Sequence, residues 1–513
     1  MNTNMYLMGV LMTLVALVFA GAIPAMGGPF PANFDLSTLD GTNGFLINGI
    51  EGGVYSGPDL IDAGDNSGSS VSAAGDVNGD GIDDLLIGAV FADPNGAYSG
   101  QSYVVFGTSQ GFASPLELSA LDGTNGFKIN GIAAGDTSGS SVSAAGDVNG
   151  DGIDDLLIGA PRAVPNGYES GQSYVVFGTS QGFASPLELS ALDGTNGFKI
   201  NGIAVGDTSG SSVSAAGDVN GDGIDDLLIG ADNAAPNGAF SGQSYVVFGT
   251  AQGFASSFEL SALDGTNGFI INGIAPLDSS GSSVSAAGDV NGDGTDDLLI
   301  GAYGADPNGL HSGMIYVVFG TDQGFASPLE LSALDGTNGF KINGIAALDW
   351  AGYSVSAARD VNGDGIDDLL IGARYADPNG PESGQSYVVF GQPDGITVSI
   401  DIMPGSDQNP INLSSSGVIP VAILGSETFD ATAVNGETVR FMGASVKMTG
   451  KGGKYLCHEE DVNGDGYTDK ICQISKDDAL QIQPGDALAI LTAETYSGDS
   501  IRGEDSIRIV KDQ

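Results

Sequence analysis

Basic side chains are scarce in this chain of 513 residues, where 15 Lys and Arg stand against 64 Asp and Glu and the formal net charge is −49. Such a surface repels phosphates, so binding to nucleic acid or to an anionic membrane is disfavoured. Divalent cations are the natural counterions of a chain with this balance. The length exceeds the usual size of one hydrophobic core, so several domains or a modular array are expected.

Histidine and cysteine are nearly absent, with two of each. Nucleophilic catalysis needs a base within hydrogen-bonding reach, and neither His311 nor His458 lies in a Gly-x-Ser-x-Gly setting. We therefore expect no enzyme; a glycosidase with paired carboxylates stays open as an alternative, because surplus acids such as Asp93 exist. In an exported protein Cys457 and Cys472 predict one disulfide, with two free thiols as the alternative.

Long apolar runs are confined to the N-terminus. The first 28 residues carry no charge, and residues 6–20 are apolar enough for the core of a signal peptide, followed by a small-residue cleavage site at Ala20-Gly21-Ala22. We predict a signal peptide at residues 1–25 and a secreted or cell-surface protein. An uncleaved anchor is the alternative, since residues 6–25 approach the ~20 that span a bilayer. No later segment predicts membrane insertion of the mature chain.

One phrase of nine residues, Asp-Val-Asn-Gly-Asp-Gly-x-x-Asp, recurs through the chain. It starts every 71 residues at Asp76, Asp147, Asp218, Asp289 and Asp360, and a sixth copy starts out of phase at Asp461. Oxygen atoms at positions 1, 3, 5 and 9, a glycine at position 6 and a backbone carbonyl at position 7 are what Ca²⁺ takes from a short contiguous loop. The phrase therefore predicts six calcium loops.

The predicted ligands occupy the same five positions in every copy, and position 7 contributes only its carbonyl. They are Asp76, Asn78, Asp80, Ile82 and Asp84; Asp147, Asn149, Asp151, Ile153 and Asp155; Asp218, Asn220, Asp222, Ile224 and Asp226; Asp289, Asn291, Asp293, Thr295 and Asp297; Asp360, Asn362, Asp364, Ile366 and Asp368; and Asp461, Asn463, Asp465, Tyr467 and Asp469.

The residues around these loops favour a β-hairpin over an EF-hand. An EF-hand closes its site with a Glu at position 12, whereas position 12 is Ile87 in the first copy and Cys472 in the sixth. Ile87 lies in the run Asp-Leu-Leu-Ile-Gly-Ala, which predicts a buried strand. Arg359 replaces the Gly that precedes the other repeated loops, and we expect it to pair with the carboxylates of the fifth loop and weaken that site.

Each 71-residue period contains four apolar runs, which we name strands A to D. In the first copy they are residues 69–75, 84–89, 102–106 and 126–132, separated by Gly-rich turns, with the calcium loop between A and B. No helical periodicity occurs in the unit. Four short strands in each of five tandem copies predict an all-β fold, a five-bladed β-propeller over residues 30–391.

The order of the strands predicts how this propeller closes. A D-type strand at residues 44–50 precedes the first A strand, whereas the last C strand, residues 386–390, has no D strand after it. We expect the N-terminal D strand to complete the last sheet and so close the ring.

The calcium loop joined to Asp-Leu-Leu-Ile-Gly-Ala resembles the FG-GAP repeat of the integrin α-subunit propeller and its bacterial relatives. The resemblance covers roughly residues 34–391 and implies a calcium-loaded scaffold for adhesion or recognition outside the cell. Two features depart from the family pattern: Ser67-Gly68-Ser69 stands where Phe-Gly is expected, and Gly-Ala-Pro survives only at Gly159-Ala160-Pro161. Because integrin propellers have seven blades, neither blade number nor ligand surface is carried over.

The period stops after Gly395, and residues 396–513 are predicted to form a β-sandwich domain holding the sixth loop. Strands are expected at residues 396–402, 418–424, 438–441, 487–491 and 506–510. Ile402-Met403-Pro404-Gly405 and the run from Val418 to Gly425 resemble a small sandwich domain appended to many secreted bacterial proteins.

The loops opposite the calcium loops vary most between copies. The B–C loops begin Val90-Phe91, Pro161-Arg162, Asp232-Asn233, Tyr303-Gly304 and Arg374-Tyr375, and the last D–A loop carries Trp350 and Tyr353. Loops on a rigid frame often carry recognition residues. Neutral drift on exposed turns, and a packing role for Trp350, are the alternatives.

The sequence as a whole favours a secreted calcium-binding scaffold for adhesion or extracellular recognition, whose partner is an extracellular protein or glycan. A structural component of an envelope or matrix is the main alternative, and a secreted hydrolase is the other.

Overall fold

A computed structural model of the chain describes residues 33–56, 59–392, 395–406, 408–413, 417–449, 454–476, 480, 482, 488–497 and 500–510. The predicted signal peptide lies outside these residues. The regular elements within them are β-strands and short 3-10 helices. The all-β prediction is therefore confirmed.

The chain forms two compact units: residues up to Asn48 together with Gln110–Leu116, and Gly49–Ser109 together with Glu117–Gln513. The N-terminal elements are the 3-10 helix η1 (Leu36–Thr38) and strands β1 (Ile47–Asn48), β2 (Gly52–Ser56) and β3 (Asp59–Gly64). In the smaller unit, Phe45 stacks on Phe112 with ring centroids 4.0 Å apart, and the Leu116 N–H donates to the Leu46 carbonyl at 2.7 Å.

The five repeats follow with nearly identical bounds. They comprise β4 (Ser67–Gly75), β5 (Asp84–Ala89), β6 (Gln101–Val105), β7 (Leu116–Glu117), η2 (Leu118–Ala120) and β8 (Gly126–Asn130); β9 (Ser141–Gly146), β10 (Asp155–Ala160), β11 (Gln172–Val176), β12 (Leu187–Glu188), η3 (Leu189–Ala191) and β13 (Gly197–Asn201); β14 (Ser212–Gly217), β15 (Asp226–Ala231), β16 (Gln243–Val247), β17 (Ser257–Glu259), η4 (Leu260–Ala262) and β18 (Gly268–Asn272); β19 (Ser283–Gly288), β20 (Asp297–Ala302), β21 (Met314–Val318), β22 (Leu329–Glu330), η5 (Leu331–Ala333) and β23 (Gly339–Asn343); and β24 (Ala351–Arg359), β25 (Asp368–Ala373) and β26 (Gln385–Val389).

The first four repeats each build a sheet in the predicted order A, B, C, D, and the fifth sheet contains strands A, B and C. The first sheet runs β4-β5-β6-β8 and gains β12 from the next repeat at its outer edge, and the second and third sheets follow the same rule. The added strand pairs in parallel with the D strand, whereas strands A to D pair antiparallel. The short added strand is one element that the strand pattern did not predict.

The N-terminal strand β1 has the pairing of a D strand, and the structure does not test whether it completes the last sheet. Its neighbour in the structure is β7, in a two-stranded sheet, and the last sheet is β24-β25-β26. Phe45 and Phe112 repeat a stacking seen at the outer edges of the first three sheets, for example between Phe127 and Phe183 at 4.0 Å. The D-type character of this segment is thus supported, and its pairing with the last sheet stays a prediction.

Consecutive sheets pack face to face through apolar side chains. Leu86, Val104 and Phe127 on one face of the first sheet share a buried cluster with Val142 and Leu156 of the second, and equivalent clusters join the later sheets. The inner strands β4, β9, β14, β19 and β24 lie side by side in that order. Both faces of an inner sheet are covered by this packing. The strands of the inner sheets are therefore nearly continuous apolar runs.

The two end sheets each expose one apolar face. Val71 of the first sheet is 67% exposed, whereas its counterpart Val142 is 5% exposed. At the other end Leu370 is 40% and Val388 49% exposed, although their counterparts in the inner sheets are buried. The exposed faces are therefore the same surfaces that pack together inside the array.

Residues from 396 onward form β27 (Ile396–Thr397), β28 (Ile400–Ile402), β29 (Pro410–Asn412), β30 (Val418–Ile423), η6 (Ala431–Ala433), β31 (Arg440–Phe441), β32 (Ala444–Ser445), β33 (Met448–Thr449), β34 (Lys454–Tyr455), β35 (Cys457–Glu460), β36 (Asp469–Ser475), β37 (Leu488–Glu494), β38 (Ser500–Ser506) and β39 (Arg508–Val510). The two larger sheets are β27-β38-β37-β31-β32 and β28-β30-β36-β35. Both contribute to one buried cluster that includes Val421, Phe441 and Leu491. Cys457 and Cys472 are disulfide-bonded, as predicted, between β35 and β36.

Candidate metal centres

All six predicted loops connect antiparallel strands. The five repeated loops join strands A and B of each sheet, for example β4 to β5, and the sixth joins β35 to β36. The hairpin setting predicted from Asp-Leu-Leu-Ile-Gly-Ala is confirmed. The backbone bulges where strand A enters the loop, between Ala73 and Gly75 in the first repeat, which directs the chain into the turn.

The carboxylates at positions 1 and 5 organise each loop from inside. Asp76 accepts hydrogen bonds from the N–H groups of Asp80 at 3.0 Å and Gly81 at 2.6 Å, and Asp80 accepts from the N–H of Ile82 at 3.0 Å. The same bonds recur in the later repeats. In the sixth loop Asp461 accepts from the N–H of Gly466 and Asp465 accepts from the N–H of Tyr467. The sixth loop therefore has the same internal hydrogen bonds although it lies outside the 71-residue period.

Position 9 is the buried end of each loop. The Asp155 carboxylate accepts from the N–H groups of Gly178 at 2.8 Å and Val148 at 3.2 Å. Burial nevertheless raises the pKa of Asp155 to about 8, against the lowering effect of these two N–H groups. Asp226 and Asp297 show the same balance with pKa values of about 8, and burial raises the pKa of Asp84 to about 6.

Position 3 points its amide toward the buried carboxylate in the first three loops, whereas in the last three loops it donates to the position 5 carboxylate. The Asn78 Nδ2 group lies 3.3 Å from Asp84 Oδ2, and turning that amide presents its oxygen instead, as amide assignments follow the hydrogen-bond partners. Thr295 at position 7 donates its hydroxyl to Asp293 Oδ1, so it has a role inside the fourth loop besides the expected carbonyl.

The donor chemistry of the loops fits a hard divalent cation. Each repeated loop concentrates four Asp side chains, and none of them forms an ion pair with a Lys or Arg of the described residues. Within the described part of the chain, however, no three Asp, Glu, His or Cys side chains are arranged to hold a metal ion. The carboxylates instead accept backbone N–H groups, so each loop holds its turn with one buried carboxyl group that has no cationic partner among the described residues.

A link between successive loops was missed by the sequence reasoning. The position 8 carboxylate of Asp154 accepts from the backbone N–H of Asp76 in the preceding loop at 2.8 Å. Asp225, Asp296 and Asp367 repeat this contact with Asp147, Asp218 and Asp289. The sequence does contain a signal for this link, because each of the five repeated phrases ends in two consecutive Asp residues at positions 8 and 9. Only the Asp at position 9 was assigned a role in the sequence analysis.

This link explains why glycine precedes the first four loops. A Cβ at Gly146, which has φ +72°, would lie 2.2 Å from Asp225 Oδ2. Arg359 replaces this glycine where no sixth repeat follows, and its φ of +55° keeps the same backbone turn. The expected ion pair between Arg359 and the fifth loop is not observed among the described residues, so Arg359 marks the end of the series of links.

We expect Gly146→Ala to destabilise the protein more than Gly182→Ala does. Gly182 also has a positive φ, +86°, but an added Cβ meets nothing within 4 Å. The unfavourable backbone geometry costs about 1–2 kcal/mol in both variants, and crowding against Asp225 adds about 1–3 kcal/mol in Gly146→Ala alone. Denaturant unfolding in excess calcium measures the difference, and equal losses in the two variants would contradict the link.

The C-terminal sheets touch the array at the fifth loop. The guanidinium of Arg502, on β38, donates to the Asp364 carbonyl, and a Cβ at Gly365 would lie 3.0 Å from the Ile490 Cδ1 atom. The two histidines stand apart, since His458 pairs with Glu460 at 3.8 Å and His311 contacts the ring of Trp350. No helix within the described ranges has the length and apolar character needed to span a bilayer.

Comparison with known proteins identifies the repeats. The FG-GAP repeat model matches residues 67–105, 138–176, 209–247, 280–318 and 351–389. Each match begins at strand A or three residues before it and runs to the end of strand C, so it contains one complete loop.

Two curated relatives share the repeats. Phosphatidylinositol-glycan-specific phospholipase D of Rattus norvegicus is 28% identical over 223 residues, which is 43% of this chain and 25% of the relative. Integrin alpha-PS2 of Drosophila melanogaster is 30% identical over 244 residues, covering 46% of this chain and 16% of the relative. The chain thus spans a quarter or less of the length of these relatives.

A solved structure of a Ca²⁺-stabilized adhesin that helps an Antarctic bacterium bind ice aligns with 86% of this chain and 99% of its own. The identity is 13% and the TM-score 0.13, so the alignment carries no conclusion about the fold.

Proposed function

Because this chain contains five FG-GAP repeats and is homologous through them to integrin alpha chains, we propose that it is a secreted, calcium-binding scaffold for adhesion or recognition outside the cell. The observation that carries the proposal is the series of five nearly identical loops. Each has a buried position 9 carboxylate, and each of the first four is bonded to the next through a position 8 carboxylate. Such a series fits a frame whose rigidity depends on bound cations.

In this proposal Ca²⁺ is held by positions 1, 3, 5, 7 and 9 of all six loops. Oxygen-only donors on a flexible turn suit Ca²⁺ better than Mg²⁺, which demands a tighter octahedral geometry. The bound ion supplies positive charge beside the position 9 carboxylate. The protein supplies the turn, through the N–H groups that already orient the position 1 and position 5 carboxylates.

We further propose that the five sheets are blades of a propeller over residues 30–391, and that residues 396–513 are a separate β-sandwich. The exposed faces of the first and last sheets support closure, because each matches a surface buried between inner sheets. The last sheet lacks a D strand, and β1 is a D-type strand that belongs to none of the five. Asp83 is the position 8 residue of the first loop, so no preceding loop is available for it to bond. Arg359 precedes the fifth loop, which no further position 8 Asp follows. Closure of the ring would place Asp83 opposite Arg359.

Val71→Asp tests closure against Val142→Asp as its matched control. If the ring is closed in solution, Val71 is buried and both charges lower the midpoint of thermal unfolding by a similar amount, since a buried unpaired carboxylate costs several kcal/mol. If Val71→Asp leaves the midpoint unchanged while Val142→Asp lowers it, the first sheet is open and the ring is wrong.

We propose no catalytic activity for this chain, even though one relative is named as a phospholipase. The similarity covers 25% of that relative, and the two histidines of this chain lie in separate surroundings. Incubation with phosphatidylinositol glycan and with neutral polysaccharides tests this proposal, and turnover proportional to protein concentration would replace it.

The recognition function itself is tested by binding. The purified chain is screened against immobilised matrix proteins and glycans in 2 mM calcium, a concentration above the ~10⁻⁴–10⁻³ M at which extracellular calcium modules bind, and again in excess chelator. We expect at least one ligand to be retained with calcium and released by chelator. Failure to retain any ligand under either condition favours the purely structural envelope or matrix role.

A further inference from the structure

A cluster of aromatic rings with one arginine lies on the loops opposite the metal loops, between the fourth and fifth sheets. Its members, which we call the aromatic cluster, are Tyr303, His311, Trp350, Tyr353, Arg374 and Tyr375. They come from the B–C loops of the fourth and fifth repeats and from the junction of the last D–A loop with β24. We propose that the aromatic cluster binds an uncharged saccharide chain, an inference that rests on the proposed recognition function.

Trp350 is at the centre of the aromatic cluster. Its ring stacks on Tyr303 with centroids 4.9 Å apart and planes at 24°, and meets Tyr375 edge-on at 4.8 Å. Tyr353 lies 6.2 Å from the Trp350 centroid and is exposed. Trp350 itself is only partly buried, so the group presents aromatic surface to solvent instead of closing a core.

The backbone at Trp350 is unusual for such a large residue. It has φ +56°, in the left-handed region, which bulky residues seldom adopt. The equivalent positions in the other repeats have the same geometry but carry the smaller polar residues Asn66, Thr137, Thr208 and Ser279. Strained residues of this kind concentrate at ligand sites, and the other repeats show that a small residue serves the fold at this position.

Tyr353 departs from the other repeats in the same way. Counterparts of Tyr353 in the other four repeats are all serine: Ser69, Ser140, Ser211 and Ser282. Two positions that are small and polar elsewhere have therefore both become large and aromatic at this junction. Because the two rings are also in contact, the substitutions form one surface patch.

The charges around the aromatic cluster select an uncharged ligand. Arg374 already lies over the rings of Tyr353 at 4.3 Å and Tyr375 at 4.5 Å, so a cationic ligand would meet a positive charge where it seeks an aromatic face. The net charge of −49 opposes a polyanion. What remains is a neutral molecule that is apolar on one face and polar at its rim.

A pyranose ring has these properties, because its axial C–H groups form an apolar face while its hydroxyls lie around the edge. Aromatic side chains bury such a face and keep polar tips at the rim. Here the Tyr hydroxyls and the Arg374 guanidinium, which donates to the Tyr375 hydroxyl at 2.9 Å, provide partners for sugar hydroxyls.

The test uses the full chain in calcium with four uncharged hexasaccharides as probes: β-1,4-linked glucose, β-1,4-linked mannose, α-1,4-linked glucose and β-1,4-linked N-acetylglucosamine. Affinity is measured by calorimetry for the native chain, Trp350→Ser and Tyr353→Ser, each variant restoring the residue type of the fourth repeat. Tyr168→Ser, which removes an exposed aromatic from the second repeat, is the matched control. Thermal unfolding checks that every variant is folded.

We expect at least one hexasaccharide to bind, with affinity reduced tenfold or more in Trp350→Ser and Tyr353→Ser and unchanged in Tyr168→Ser. Binding that survives both cluster substitutions overturns the proposal by placing the sugar site elsewhere. A chain that retains a matrix protein but none of the hexasaccharides also overturns it, while leaving the recognition function intact. If the chain binds neither a matrix protein nor a hexasaccharide, both the recognition function and the saccharide site are contradicted.

Discussion

Chelation of calcium should lower the midpoint of thermal unfolding of this protein by 10 °C or more. Free ion at ~100 times its dissociation constant adds ~2.7 kcal/mol per site, and for a domain of this size each kcal/mol shifts the midpoint by about 2–4 °C. Five repeated loops bonded in series would therefore contribute an amount comparable to the ~5–15 kcal/mol stability of a whole domain. Scanning calorimetry with and without excess chelator measures the shift.

Two Asp→Asn substitutions distinguish the loss of a metal ligand from the loss of a negative charge. Asp155→Asn removes a buried carboxylate from the second loop and should reduce the calcium-dependent shift. Asp122→Asn removes the same charge from an exposed turn, where Asp122 accepts hydrogen bonds from Thr124, and should leave the shift unchanged. A midpoint that does not respond to chelator in the native chain would refute a structural role for calcium.

The metal-free protein should lose stability as the pH rises from about 5 to about 8. Burial raises the pKa of Asp155, Asp226 and Asp297 to about 8 in the folded chain, whereas an unfolded Asp titrates at ~3.9. Between these values the folded state binds more protons than the unfolded state, so the free energy of unfolding falls with increasing pH. This stability is fully present only below the unfolded pKa and is lost as the pH passes through the folded one.

Calcium should flatten this pH dependence, because the ion stabilises the ionised carboxylates and its binding releases their protons. Denaturant unfolding at several pH values, on protein freed of metal by dialysis and then on calcium-loaded protein, measures both slopes. In metal-free Asp155→Asn the slope should be shallower than in the native chain, since one of the titrating groups is gone. A metal-free protein whose stability rises over this interval would show that these carboxylates are ionised without a cation.

Local features were predicted closely from the sequence. The run Asp-Leu-Leu-Ile-Gly-Ala predicted β5 at Asp84–Ala89 without error, and the hairpin setting of the loop followed from the absence of a Glu at position 12. These features depend on turn chemistry and on short apolar runs, both of which lie within a few consecutive residues. In the C-terminal part the pattern is less regular, and the strands β29, β32, β33, β34, β35, β36 and β38 were not anticipated.

Features that join distant residues were predicted poorly. Asp154 and Asp76 are 78 positions apart, and the aromatic cluster combines loops from two repeats. The N-terminal D strand was correctly recognised by type, yet its neighbour in the structure is β7. The reason is that strand type follows from the chain's own pattern, whereas the partner of an edge strand depends on how whole sheets are placed.

The sequence alone determined that this protein is a repeated all-β chain with acidic loops at the first hairpin of each repeat, because strand periodicity and turn residues act over short distances. Only the tertiary structure decided that the position 8 Asp side chains bond one loop to the next, that Arg359 ends that series, and that Trp350 gathers rings from three loops. Those contacts arise from the face-to-face packing of successive sheets, which brings together residues that no short stretch of sequence connects.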